Sequence, residues 1–194
     1  MSLPPYFKKV SSSFGHFAPV DIIAACLRKG YRPVKTEAPG PNNQFHQDQV
    51  RLILDSYHHW TGEDLFPFPA SAQENLGEQV FIAPFALVSH GTEDDPIFNY
   101  ANRLALEVFG YPWEEWITLP SRFSAEAPNR EARQKLLDAV REQGFSDGYQ
   151  GIRIGKKGRF EIRAAKVWNL ADPGGNARGQ AACFIDWRRI QPTT

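Results

Sequence analysis

The stretch YQGIRIGKKGRFEIRAAKVWNLADPGGNARGQAACFIDWRRI, residues 149–190, decides the fold. It reads as an antiparallel meander. A first strand covers YQGIRIG, GKKG makes a tight connection, RFEIRAAKVWNL is a long middle strand, ADPGGNARG turns, and QAACFIDWRRI closes. In the middle strand the two-residue period puts Phe160, Ile162, Ala164, Trp168 and Leu170 on one face, with Lys166 the exception. Arg159, Glu161 and Arg163 fall on the other. One face is therefore core, and a sheet with one apolar face needs helices to cover it.

Those helices lie upstream. EQVFIAPFALVSHG is rich in β-branched and aromatic residues and predicts a strand, centred on its latter half from Phe85 and ending at Gly91. TEDDP turns the chain, and IFNYAN gives a second, brief strand. Asn102 can cap a helix running through Leu104, Ala105, Val108 and Phe109 to Gly110. Pro112 suits the first turn of a further helix, PWEEWITL. After PSRFSAEAP, Asn129 can cap a longer helix with Leu136, Leu137 and Val140 as its buried stripe and Gly144 as its end. Two strands, several helices and three strands imply an α+β fold: a PAS-like antiparallel sheet of about five strands with helices on one face, plus an N-terminal helical extension.

The extension covers residues 1–43. It holds a short helix, VDIIAACLRKG, and ends in the proline-rich joint EAPGPNN, so the main domain is expected to span residues 44–190. That domain opens with an amphipathic helix over Gln44 to Leu65, where Val50, Ile53, Leu54, Tyr57 and Trp60 recur at helical spacing. No neighbour in sequence is obliged to bury this stripe. It is expected to cover the open face of its own sheet or of a neighbour's, and a two-fold dimer through Ile53, Tyr57 and Trp60 is the preferred arrangement.

Composition narrows the function classes. Lysine and arginine number 22 and so do the acids. This balance removes the electrostatic basis for a general nucleic-acid binder. Arg153, Lys156, Lys157, Arg159 and Arg163 do cluster on one hairpin, but alternation sends most of them to solvent, as on an edge kept soluble. Cys26 and Cys183 are too few and too far apart for a disulfide framework or a zinc site. No run approaches a membrane span, and the expectation is a soluble, cytoplasmic chain.

Three stretches, FALVSHGTEDDPIFNYANRLALEVFGY, LPSRFSAE and GYQGIRIGKKGRFEIRAAKVWNL with GQAACF, resemble the MEKHLA domain family, a PAS-related group. The family occurs as small bacterial proteins, and the same module closes class III homeodomain-leucine zipper proteins of plants. The resemblance covers roughly residues 44 to 187 and implies a sensory or protein-interaction module with an undefined ligand. It also frames the cofactors. All five histidines lie at or before His90, so none stands on the long helix or the final strands, where haem-binding PAS relatives carry their axial ligand. The helix from Asn129 to Gln143 has no cysteine for a flavin adduct, unless Cys183 supplies one from a strand. No cofactor is expected; an unknown small molecule in a cavity between sheet and helices is.

Candidate pocket residues are His90, Asn99, Asn102, Arg122 and Ser124, with Trp168 and Phe184 as apolar walls. Each has a plainer role beside it. Ser89 and His90 are strand neighbours pointing to opposite faces, so they cannot form a nucleophile and base pair by themselves. His90 is expected to hydrogen-bond the turn or the next helix, Asn102 to cap a helix, Trp168 to be core, and Arg122 to pair with Glu126 or Glu131. The reading is a non-catalytic PAS-like module that binds a small molecule or a protein partner. The alternative is a small enzyme with His90 as acid or base and Arg122 as substrate anchor. No metal site is expected.

Overall fold

A computed structural model describes residues 37–65, 74–125, 136, 139, 140 and 143–191. All belong to one compact unit that begins at Pro33. The expected helix VDIIAACLRKG and most of the helix expected from Asn129 lie outside the described residues. After a 3-10 turn at Pro41–His46 come α1 (Gln47–Thr61) and α2 (Leu76–Ile82). Then follow β1 (Ala86–His90), β2 (Phe98–Ala101), α3 (Arg103–Phe109), α4 (Trp113–Trp116), β3 (Phe145–Gly155), β4 (Gly158–Ala171), β5 (Ala177–Phe184) and β6 (Trp187–Arg189).

The strands form one antiparallel sheet in the order β2-β1-β5-β4-β3, the PAS-like layout expected. The sheet has six strands rather than about five, because QAACFIDWRRI is not one strand. It breaks after Phe184, and Trp187–Arg189 pair with Ile162–Phe160 at the other half of β4. α2 was also unforeseen. EQVFI looks like strand by composition, but Leu76 and Val80 sit one helical turn apart and are both buried.

The middle strand differs from simple alternation. Between Tyr149 and Gly151 of β3 the partners in β4 run from Ala165 to Ile162, so β4 carries one extra residue there. The bulge reverses the pleat. Phe160 and Ile162 share a face with Ala165 and Val167, whereas Trp168 and Leu170 point to the opposite one, and Ala164 is exposed. Both faces of the sheet are consequently buried in this half of β4: Val167 and Trp168 are neighbours with 8% and 0% exposure.

On the outer face, α1 and α2 lay Val50, Ile53, Leu54, Tyr57, Leu76 and Val80 against Leu87, Tyr100, Trp168, Leu170, Ala181 and Cys183. The main-chain carbonyl of Ile53 accepts the Trp168 indole N–H at 3.0 Å. Ser56 Oγ donates to Ala171 O and accepts from Ala171 N, and the Trp60 indole donates to Asn169 O at 2.9 Å. Lys166, the exception in the apolar pattern, reaches out of this layer and donates to Tyr57 OH at 2.7 Å. The helix thus packs on its own sheet. Ile53 and Tyr57, expected to face a second copy, are 0% and 3% exposed within one chain, so that surface is already occupied. The inner face meets α3 and α4, where Phe98 stacks on Trp116 with ring centroids 3.9 Å apart and Phe109 stands edge-on to Phe160.

Asn102 ties these layers together. Its Oδ1 accepts from Ala105 N, the N-cap bond expected, and also from Leu87 N at the start of β1. Its Nδ2 donates to Phe85 O at 2.7 Å and to Val80 O at the end of α2. The residue is fully buried. Asn102→Ala should therefore strand several buried main-chain groups and cost about 3–4 kcal/mol in urea unfolding, well above an ordinary cap deletion. Ile53→Asp puts a charge in the outer core. It should give an unfolded chain by circular dichroism rather than a folded monomer released from a dimer.

Candidate functional site

Strand pleating separates Ser89 from His90, as alternation requires. Ser89 lies on the outer face, 1% exposed, donating to Asn99 Oδ1 at 2.6 Å and accepting from Gln49 Nε2 at 3.1 Å. The register slips between Ser89 and His90, where Ser89 faces Tyr100 and His90 faces Phe98. Asn99 is the extra residue of that bulge, so its side chain serves the outer network and not the inner face. His90 lies on the inner face, with Val88 and Ala86 behind it along β1.

His90 Nδ1 donates to the Gly91 carbonyl at 2.9 Å, which fixes the neutral ring with its proton on that nitrogen. Burial lowers its pKa from the usual 6.5, against the smaller opposing pull of Gly91, Glu93 and Gln180. The hydrogen bond to the turn that the sequence suggests for His90 is present. Its side-chain partner Gln180 faces it across the β1–β5 pair. Gln180 Nε2 donates in turn to Asn169 Oδ1 at 3.1 Å, and Asn169 Nδ2 donates to Val140 O at 3.1 Å. A line of polar groups therefore crosses β1, β5 and β4 on the inner face. Gln180 and Asn169 were not among the residues singled out. In β5, Gln180 shares a face with Ala182 and Phe184, and a polar side chain on a buried face is the signal that would have found it.

Of the candidate pocket residues, the inner face keeps His90 and Phe184, the latter in ring contact with Phe109 and Phe160. Trp168 belongs to the outer core, across the sheet from Phe184, because of the β4 bulge. Asn102 has every hydrogen-bonding group of its side chain engaged by main chain. Ser124 is buried and donates to Ser121 O within the 3-10 turn Ser121–Ser124. Arg122 pairs with Asp95; Glu126 and Glu131, the partners expected from the sequence, lie outside the described residues. The guanidinium grips both carboxylate oxygens, at 2.7 and 3.0 Å, and both side chains are close to half exposed. The backbone bridge between Ile97 and Pro120 brings the two turns together. His90 and Arg122 thus have separate partners.

Cys183 stands opposite Leu87 and Lys166 in the outer core, and burial pushes its thiol up to about 12. A molecule on the inner face has the sheet between it and this sulfur. Two surface hollows, of about 270 and 390 Å3, are lined by residues of α2 and α3 and by residues around the 3-10 turn before α1. Neither is lined by an inner-face residue. Among the described residues no three of His, Cys, Asp and Glu gather as metal ligands would.

The family profile of the MEKHLA domain matches residues 47–189. Two rice proteins are similar over the same region: the homeobox-leucine zipper protein HOX10 of Oryza sativa subsp. indica and that of subsp. japonica. Each is 22% identical over 139 residues, which is 71% of this chain and 17% of the rice protein, so the chain matches a small part of those relatives. Among solved structures, a PAS domain from Colwellia psychrerythraea superposes with a TM-score of 0.47 and 18% identity, covering 58% of this chain and 92% of that one. The LOV domain of the blue-light photoreceptor Aureochrome1 gives 0.44 and 18%, covering 62% and 86%.

The buried histidine makes stability depend on pH. A folded pKa below 6.5 means that the unfolded chain takes up the proton first, so His90's contribution is complete above pH 6.5 and is lost as pH falls below it. Urea midpoints at pH 7.5 and 5.5 should fall with acidity in the wild type, and the drop should be smaller in His90→Asn.

Proposed function

This chain belongs to the MEKHLA domain family, and on that premise we propose that it is a non-catalytic, PAS-like sensory or interaction module. It takes a small molecule, or answers to a protein partner, and passes its state on by rearranging the helices packed on its sheet. The observation that carries the reading is the polar line His90, Gln180 and Asn169 across three adjacent strands, beside Phe184 and the aromatic wall of Phe109 and Phe160. A small ligand is oriented by a few polar groups placed in an apolar wall, and this line supplies them.

The enzyme reading draws less support. His90 would be the acid or base, yet its Nδ1 is spent on main chain, and Arg122 would have to release Asp95 before holding a substrate. For cofactors, the placement of Cys183 on the outer face supports the absence of a flavin adduct, and the positions of the histidines in the sequence support the absence of haem. Of the hairpin cations, Lys156 has an acidic partner in Glu115 and Arg163 in Glu161 and Asp186, and Lys157 donates to the Glu107 main-chain carbonyl. This pairing supports output through a protein partner in preference to nucleic acid. No helix among the described residues is long and apolar enough to cross a membrane, and we place the protein in the cytoplasm.

Native mass spectrometry tests this directly. The full chain, incubated with a deproteinised cell extract and desalted, should gain a small mass that is lost on denaturation, with no Soret or flavin band in its absorption spectrum. Gln180→Leu should abolish the gain. A bare chain under both conditions would sink the small-molecule reading, and a retained haem or flavin band would overturn the cofactor statement.

A further inference from the structure

We propose that Asn169 is a positioning residue that couples the inner face of the sheet to the docking of α1 on the outer face, with Trp60 as the receiving side chain. The proposal rests on the reading of the inner face as the sensing surface, and adds how its state would leave the domain. β3 starts at Phe145, which pairs with Trp168, so Asn169 lies just past the end of that strand pairing. Its main-chain groups find other partners. Its N–H donates to Gly144 O at 2.9 Å, and its carbonyl accepts the Trp60 indole N–H at 2.9 Å. Its side chain meanwhile lies in the inner polar line between Gln180 and Val140 O. One residue thus reads one face with its amide and holds the other with its carbonyl.

Gly144 closes the unit. Its φ of +78° favours glycine, and a Cβ there would lie 2.0 Å from Trp60 Cε3, so the indole rests directly on this backbone. The Gly144 N–H donates to Val140 O, the same carbonyl that accepts Asn169 Nδ2. Trp60 of α1, the helical end at Gly144, Asn169 of β4 and Gln180 of β5 therefore share one hydrogen-bonded cluster. Two further attachments of α1 to β4 flank it, Trp168 to Ile53 O on one side and Ala171 to Ser56 on the other, and Lys166 adds a third at Tyr57 OH. A ligand or partner that takes the hydrogen bonds of Gln180 or Asn169 must turn the Asn169 amide, and the adjoining peptide planes carry that turn to the carbonyl under Trp60. The state of α1 then follows the state of the inner face without direct contact between them.

Amide hydrogen exchange on the full chain tests this with no ligand present, so its outcome is separate from the ligand-binding result. Gln180→Leu alters only the inner line; Trp60→Phe leaves a smaller aromatic ring and removes the donor. Gln180→Leu should raise exchange over Ile53–Thr61 of α1 about tenfold while α3 exchanges as before, and in a Trp60→Phe background the same change should have little further effect. Wild-type exchange in α1, or an equal increase in both backgrounds, overturns the proposal. Should Gln180→Leu loosen the whole domain, Asn169→Asp provides the second readout, since it preserves shape and removes the donor to Val140. The 15N-labelled indole resonance of Trp60 should move and exchange faster; an unmoved resonance overturns the coupling.

Discussion

A single buried amide fixes where three elements begin or end. Asn102 has two N–H donors and an oxygen with two lone pairs, and all four are used on main chain: Val80 and Phe85 as acceptors, Leu87 and Ala105 as donors. Its own N–H also donates to Leu87 O. The end of α2, the first residues of β1 and the first turn of α3 are therefore pinned to one point. Shifting any of them by one residue would leave a polar group unpaired in a region sealed from water, which costs more than the bond itself contributes. From this point the facing of β1 follows, with Leu87 and Ser89 outward to α1, and Val88 and His90 inward.

The second constraint is that β1, β5 and the second half of β4 are covered on both faces, whereas Arg159, Glu161 and Arg163 stay exposed or half-exposed on the other half of β4. Helices α3 and α4 cover one side there and α1 and α2 the other, so β1 and the second half of β4 bury neighbouring residues rather than alternate ones. This explains how far the sequence was legible. The succession of strands and helices along the chain, the Asn102 cap, the Gly110 stop and the covering role of α1 could all be read, because each rests on a local rule. The facing of β4 could not, because alternation from Phe160 to Leu170 assumes an unbroken pleat, and the bulge before Ala165 reverses it. A second bulge at Asn99 moved that residue outward in the same way. Two single-residue irregularities thus account for the misplaced Trp168 and Asn99.

Arg122 shows a different limit. Proximity in sequence points to Glu126 and Glu131, which lie outside the described residues, whereas the partner observed, Asp95, stands 27 residues away and arrives by backbone pairing of two turns. With both side chains close to half exposed, the pair is screened and contributes about 0.2–1 kcal/mol. Its geometry matters more than its energy: a bidentate grip orients the TEDDP turn, from which Glu93 acts on His90. The acids that follow the histidine in sequence therefore serve to hold and bias a turn.

The helix α1 belongs to the domain in the same sense as any strand. The family match begins at Gln47, its first residue, and ends at Arg189, the last of β6. Removing the helix would uncover Trp168, Leu170, Ala181 and Cys183 together, an apolar patch that a soluble domain seldom leaves in water. Yet its attachment is not only apolar. Trp168, Asn169 and Ala171 each exchange a directed hydrogen bond with it, and Lys166 adds a charged contact to Tyr57. Apolar burial alone would tolerate sliding along the sheet; bonds to consecutive points of one strand do not. The register of α1 on β4 is therefore specified to the residue, and a change at β4 becomes a change in the helix.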